Sequence, residues 1–164
     1  MNIFSKIEVK YIIIQIIAFN FIVLSPQVFS YLTDMQLSEL FINSAKSSEN
    51  ITTFFDRNKI DILKFNDLIN TIRNYQIYGF VIGCLISIWI SSKRKISWIN
   101  SLMVIILSFV IIFIKYASSP FKPLYFENWF NDFKIYLYFS GSLFLIISLS
   151  LFYLSYKVKL NEKI

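Results

Sequence analysis

The sequence predicts an all-α integral membrane protein with four transmembrane helices. Three observations carry this prediction: hydrophobic residues make up 56% of the 164-residue chain, charged residues only 16%, and the mean hydropathy is +0.59. A soluble domain carries about 25% charged residues, because its surface faces water. The few charges are also clustered, which leaves long apolar segments between them.

Four charge-free segments of 23, 19, 19 and 22 residues set the number of spans. About 20 apolar residues cross a bilayer core as a helix, so each segment is long enough to cross once. The sequence therefore predicts a single membrane domain over 1–164, with spans at about 11–30, 75–92, 96–115 and 135–156, outer loops at 31–74 and 116–134, and a cytoplasmic loop at 91–97.

The counts of lysine and arginine orient these spans. With the N-terminus in the cytoplasm, the cytoplasmic segments hold eight positive and two negative residues, and the outer segments hold eight of each. Basic residues beside span ends stay on the cytoplasmic side, so both termini are predicted to be cytoplasmic. Lys93, Arg94 and Lys95 are the central topology signals. Because no soluble domain presents the basic residues, they indicate contact with anionic membrane lipids and not with nucleic acid.

Residues 1–30 allow a second topology. A basic start, an apolar stretch from Tyr11 to Leu24 and the junction Val28-Phe29-Ser30 are similar to a secretory signal peptide. The charge-free run is long for a signal peptide and aromatic residues surround the junction, which favours a retained span. Cleavage would leave three spans, and N-terminal sequencing of the mature chain would reveal it.

Span one carries polar side chains that need partners in hydrocarbon. Gln15 and Asn20 are amides, and Pro26 is expected to kink or end the helix near the outer surface. Hydrogen bonding between helices is the structural explanation, and a polar substrate path is the functional one. Asn20 lies near mid-bilayer and is the first candidate for a specific internal contact.

Two stripes of small residues predict close helix packing. All three glycines of the chain lie in them, and small residues at regular helical spacing let another backbone approach. Packing within the chain is favoured over contact with a partner protein or a second copy. The stripes comprise Gly79, Gly83, Ser87 and Ser91 in span two, and Gly141, Ser148 and Ser155 in span four.

The first outer loop is expected to hold two amphipathic helices. Thr33 and Gln36 resemble a capping box for the first. The second is expected near Asn58 and should continue into span two as a rigid stalk, since no Gly or Pro intervenes. The predicted apolar faces are Leu37, Leu40, Phe41 and Ala45 on the first helix, and Ile62, Phe65, Ile69 and Ile72 on the second.

The second outer loop is expected to contain an interfacial helix in the headgroup region, which serves as an aromatic anchor. The alternative is an outer recognition surface, since aromatic residues flanked by acids form contact hot spots. The residues concerned are Phe126, Glu127, Trp129, Phe130, Asp132 and Phe133.

The absence of several residue types argues against an enzymatic function of this chain. The chain has no histidine, and its one cysteine, Cys84, lies in span two without a second thiol. The predicted spans contain no Asp or Glu, which argues against proton- or sodium-coupled transport. The sequence therefore predicts a protein without catalytic residues, metal site or cofactor.

In architecture, the whole chain resembles the inner-membrane immunity proteins of pore-forming colicins. The shared features are small size, four spans, cytoplasmic termini, a longer first outer loop and a basic cytoplasmic turn, here Lys93-Arg94-Lys95. Plasmid entry-exclusion proteins look similar. The resemblance implies a bacterial inner-membrane protein that binds membrane-inserted toxin helices laterally and protects its host. No family residue is carried over, because the resemblance involves no motif.

Two other functions remain open. The chain could be an accessory subunit of a transport or secretion complex, or a small oligomeric channel or permease lined by Gln15, Asn20 and the serines of spans two to four. A neighbouring toxin or conjugation gene would favour immunity or exclusion, and a transporter or secretion operon would favour the accessory subunit. Passage of solute or current through the reconstituted protein would favour the channel.

Overall fold

The computed structural model describes residues 7–47, 51–115 and 129–158, and within these ranges the only regular secondary structure is helical. A 3₁₀ turn, Tyr31–Asp34, joins the first two α-helices, and a π-helical segment, Val110–Lys115, extends the fifth. The α-helices are α1 Val9–Ser30, α2 Met35–Ser47, α3 Ile51–Asn58, α4 Ile62–Arg94, α5 Trp98–Phe109 and α6 Phe133–Lys157.

Three helical segments of the described chain are long and apolar enough to cross a membrane. They are Val9–Ile42, Ile62–Arg94 and Phe133–Lys157, and Trp98–Phe113 forms a shorter apolar helix. The predicted all-helical class is thus confirmed, together with three segments that could serve as spans. Helix α5 begins at Trp98 and not at the predicted residue 96, because α4 continues to Arg94, inside the predicted loop 91–97.

Helix α1 lies at the centre of the bundle. It contacts α4, α5 and α6, whereas α4 and α6 contact each other much less. Tyr11, Phe19 and Val23 are almost fully buried by these neighbours. In a bilayer, such packing stabilises the bundle through close contact and hydrogen bonds, because lipid tails are as apolar as the side chains.

Pro26 does not end α1, which continues to Ser30. Proline has no N–H, so the carbonyl of Ile22 loses its usual donor within the helix. Helix α4 covers this position with Gly79, where an added Cβ would lie 2.7 Å from the Ile22 oxygen and 2.8 Å from Cγ of Pro26. The proline is therefore accommodated by contact with a glycine of the neighbouring helix.

The predicted capping box in the first outer loop is wrong. The hydroxyl of Thr33 donates to the carbonyl of Ser30 (2.7 Å), so it bonds back toward α1. Asp34 caps α2 instead, because its carboxylate accepts from the backbone N–H of Leu37 (3.1 Å). The chain passes from α1 into α2 through the 3₁₀ turn Tyr31–Asp34, which places Asp34, and not Thr33, at the start of α2.

A second apolar core, which we call the outer apolar core, lies at the helix ends that are predicted to be outside. Val28 and Tyr31 pack there with Leu37 and Ile42 of α2, Leu68 and Ile72 of α4, and Tyr136 and Leu137 of α6. Leu37 of the first predicted face and Phe65 and Ile72 of the second are buried, whereas Leu40 is 40% exposed and Ile62 is 62% exposed. The two predicted faces are therefore covered only in part by other helices. The side chain of Ala45 lies outside the described part.

Helix α4 confirms the predicted stalk. It begins at Ile62, four residues after the predicted start, and continues unbroken for 33 residues. Asp61 caps its first turn by accepting from the N–H of Leu63 (2.9 Å). The short helix α3 precedes it and was not predicted.

Candidate functional site

A buried polar cluster links α1, α4, α5 and α6. At its centre, Nε2 of Gln15 donates to the hydroxyl of Ser155 (3.2 Å), and Oε1 of Gln15 accepts from the hydroxyl of Ser87. Ser155 in turn donates to the carbonyl of Phe152 (2.7 Å). Every member is at most 4% exposed. We call Tyr11, Gln15, Ser87, Ser91, Ser101 and Ser155 the polar cluster.

The rest of the cluster joins α1 to the turn between α4 and α5. The hydroxyls of Tyr11 and Ser91 lie 2.8 Å apart, and the hydroxyl of Ser91 also hydrogen bonds to that of Ser101. Ser101 is 3.2 Å from the carbonyl of Ser87 and can donate to it. Because the buried polar groups find partners inside the bundle, this cluster stabilises the packing and offers no unsatisfied group to a ligand.

Two further hydrogen bonds connect helices at the end of the bundle that contains the polar cluster. Nη1 of Arg94 donates to the carbonyl of Ser155 (3.0 Å), so α4 reaches across to α6. The backbone N–H of Glu8 donates to Oδ1 of Asn100 (2.8 Å), which ties the start of α1 to α5. Arg94 therefore has a structural contact in addition to its predicted role as a topology signal, whereas Lys93 and Lys95 are exposed.

Both small-residue stripes face α1 of the same chain. An added Cβ at Gly83 would lie 2.7 Å from the ring of Phe19, and one at Gly141 would lie 2.7 Å from the ring of Phe29. Ser148 donates to the carbonyl of Ala18 (2.9 Å). The stripes let three helices approach closely within one chain, so α1 occupies the surfaces that a partner helix would need.

Asn20 differs from the other predicted interior residues. Its Nδ2 donates to the carbonyl of Ile16 one turn earlier (2.8 Å), and no hydrogen bond from another helix reaches it within the described residues. Asn20 is half-buried on the same side of α1 as the exposed residues Ile13, Ile17 and Leu24. We call these four residues the α1 ridge. The expected contact of Asn20 with the bundle interior is not present.

The predicted outer aromatic segment falls partly outside the described residues, which exclude Phe126 and Glu127. Residues 129–132 are not α-helical, so the predicted interfacial helix does not include them. Trp129 is 74% exposed, whereas Phe130 and Phe133 pack against the outer apolar core. Asp132 caps α6 by accepting from the backbone N–H of Lys134 (2.7 Å), which is a structural role.

No protein-family model, curated protein or solved structure matches this chain. Among the residues that the structure describes, no group of His, Cys, Asp or Glu side chains could hold a metal ion. The assignment of candidate sites therefore rests on the geometry of the described residues alone.

Sequence reasoning missed the interior residues Tyr11 and Asn100, and it assigned no helix-packing role to Ser25 or to Ser101, one of the serines of spans two to four. Ser25 donates to the carbonyl of Gly141 (2.8 Å), and so complements the stripe on α6. A signal for Ser101 was available, since Ser101 and Ser108 recur at seven-residue spacing in span three and both are buried. No comparable pattern marks Tyr11 among the many aromatic residues.

Proposed function

We propose that this chain is a non-enzymatic protein of the bacterial inner membrane that binds another membrane protein laterally, most concretely as an immunity or exclusion protein against a membrane-active toxin. The observation that carries the proposal is Asn20 on the α1 ridge. An amide on an otherwise apolar, outward-facing surface is costly in hydrocarbon and gains a partner when another helix binds.

The packing of the bundle supports recognition on an outer surface. Gln15 has no exposed surface and both of its polar atoms are hydrogen bonded, and the glycines lie against α1. A partner therefore meets the outward faces of the helices. The α1 ridge is an outward face that combines apolar side chains, Ile13, Ile17 and Leu24, with an amide able to specify alignment.

The topology that we propose has four spans with both termini in the cytoplasm. Helix α5 and its π-helical extension comprise 12 and six residues, which together reach the short end of the range for a span, about 17–25 residues. The basic turn at Lys93-Arg94-Lys95 then lies in the cytoplasm. In this orientation the α1 ridge faces lipid, where toxin helices insert.

Protection of sensitive cells tests the function. Cells that express the chain are challenged with the membrane-active toxin encoded beside its gene, and survival is measured over a toxin dilution series. We expect the wild-type chain to raise the lethal dose by about tenfold or more. Wild-type cells that die at the same dose as empty-vector cells would overturn the immunity proposal.

Substitution of Asn20 tests whether the α1 ridge is the binding surface. Asn20→Leu is expected to lose most of the protection while the protein stays at wild-type levels in the membrane. Tyr138→Leu is the matched control, because Tyr138 is also exposed, at 50%, on α6. Equal protection by Asn20→Leu and the wild-type chain would show that the toxin binds elsewhere. If a transport or secretion subunit binds this ridge instead, Asn20→Leu would disrupt that complex without any effect on toxin.

A further inference from the structure

A groove lies between α4 and α5 beside the basic turn. Its volume is about 380 Å³, within the range of small-ligand sites, about 300–1,000 Å³. Its lining is mostly apolar and includes Ile88, Leu102 and Ile105. Ser91, Ser92 and Ser101 also border it, but the hydroxyls of Ser91 and Ser101 are hydrogen bonded within the polar cluster. The groove faces outward and is separate from the α1 ridge.

The lining of the groove is mostly apolar. Near the turn it consists of Ser92, Ile96 and Trp98, and Trp98 is 70% exposed. Further from the turn, Leu102 and Ile105 continue the apolar lining. On α5 the lining extends from Trp98 to Ile105, which is about 10 Å at the rise of an α-helix. An apolar groove of this length suits the upper part of an acyl chain.

Positive charge lies in the turn next to the groove. Lys93 directly follows Ser92 and Lys95 directly precedes Ile96, both lysines are exposed, and Ser92 and Ile96 line the groove. Lys95 is fixed in the left-handed conformation, with φ of 54°, and its N–H donates to the carbonyl of Ser92 (3.2 Å). The adjacent N–H of Ile96 donates to the carbonyl of Ser91 (3.0 Å). The position of Lys95 beside the groove is therefore set by the backbone of the turn.

We infer that this groove binds one anionic glycerophospholipid, with an acyl chain along Leu102 and Ile105 and the phosphate headgroup against Lys93 and Lys95. Basic pockets between membrane helices hold anionic headgroups by charge, and the exposed indole of Trp98 suits the interface between headgroup and acyl chain. The inference does not depend on the proposed immunity function, since it involves a different surface.

Tryptophan quenching by brominated lipid tests the site. Of the three tryptophans, Trp98 alone is kept by the changes Trp89→Phe and Trp129→Phe. The full chain is reconstituted in phosphatidylcholine vesicles that contain a minor fraction of brominated phosphatidylglycerol, or the same fraction of brominated phosphatidylcholine. We expect an apparent preference for phosphatidylglycerol of about tenfold, because two lysines near the surface both attract the anionic lipid.

Two variants distinguish lipid binding in the groove from a general attraction of anionic lipid to surface charge. The double change Lys93→Gln and Lys95→Gln is expected to abolish the preference, whereas Lys157→Gln, at the end of α6, retains it. Ser92→Phe places a ring in the groove with both lysines intact, and it is also expected to abolish the preference. Equal quenching of the parent chain by the two lipids would overturn the proposal. A preference that persists in Ser92→Phe would overturn it too, because the lipid would then lie outside the groove.

Discussion

Two amides only five positions apart on α1 face different surroundings. At about 100° per residue, Gln15 and Asn20 lie roughly 140° apart around the helix axis. Gln15 therefore points to Ser87 and Ser155, while Asn20 lies on the α1 ridge and bonds back to its own helix. The amide of Gln15 thus bonds across helices, whereas the amide of Asn20 bonds only within its own helix on an outward face.

The two amides should respond differently to removal. Gln15→Leu leaves the hydroxyls of Ser87 and Ser155 without their amide partner, so we expect the free energy of unfolding in mixed micelles to fall by about 1 kcal/mol. Asn20→Leu removes no bond between helices, so its unfolding free energy should stay within about 0.5 kcal/mol of wild type. Denaturant titration followed by circular dichroism measures both. Equal destabilisation by the two changes would contradict the assigned orientations.

Sequence predicted that amides in span one need partners but could not predict which way each one points. Span one is apolar around its whole circumference, so no polar face marks the side that meets lipid. The orientation of Asn20 becomes visible only once α4 and α6 are in place. The different orientations of Gln15 and Asn20 therefore depend on the tertiary structure and cannot be predicted from a local sequence pattern.

At the scale of the element, hydropathy and charge predicted the helices well. The predicted span 11–30 corresponds to α1 at Val9–Ser30, and the span 135–156 to α6 at Phe133–Lys157, because charged residues set the ends of apolar helices. The errors lie at outer junctions. Asp34 and Asp132 cap helices where Thr33 and an interfacial helix were predicted, since several polar residues there could have served as caps.

A methyl group added at Gly79 and one added at Gly83, both at the contact between α1 and α4, should lower the unfolding free energy by different amounts. In Gly79→Ala the new Cβ meets backbone atoms, the Ile22 oxygen at 2.7 Å and Cα of Val23 at 2.9 Å. In Gly83→Ala it meets the ring of Phe19, a side chain that can move in part. We expect losses in unfolding free energy of about 3 kcal/mol for the first and about 1 kcal/mol for the second.

The same micelle titration measures these losses, and the double variant Gly83→Ala with Phe19→Leu serves as the control. Gly83→Ala should cost less in the Phe19→Leu background than in the wild-type chain, because the clash is with that ring. A Gly79→Ala variant as stable as wild type would show that α1 and α4 do not meet at this position.

At the scale of the whole molecule, α1 is the helix on which the other long helices assemble. Its side chains contribute to both apolar cores, and it supplies Tyr11 and Gln15 to the polar cluster. A bundle built from α4, α5 and α6 alone would leave the glycines and several serines facing an empty centre. This arrangement favours a retained α1 over a cleaved signal peptide.

The central packing of α1 predicts that residues 1–30 stay in the mature chain. The intact mass of the chain purified from membranes should include residues 1–30, and a variant that lacks them should fail to give a monodisperse, protease-resistant protein. Co-expression of residues 1–30 as a separate segment is expected to restore part of that resistance, since the contacts with α1 need no covalent link. A mature chain that starts at Tyr31 and is stable would contradict this prediction.

The central position of α1 also has a consequence for biosynthesis. Gln15 and Ser155 are 140 positions apart in the chain, and Gln15 is synthesised first. At about 5–20 residues per second, the ribosome needs roughly 7–28 seconds to make the intervening chain. During that interval α1 exists without its final partner, α6. The first long helix to be synthesised therefore completes its native contacts only when the last one has been made.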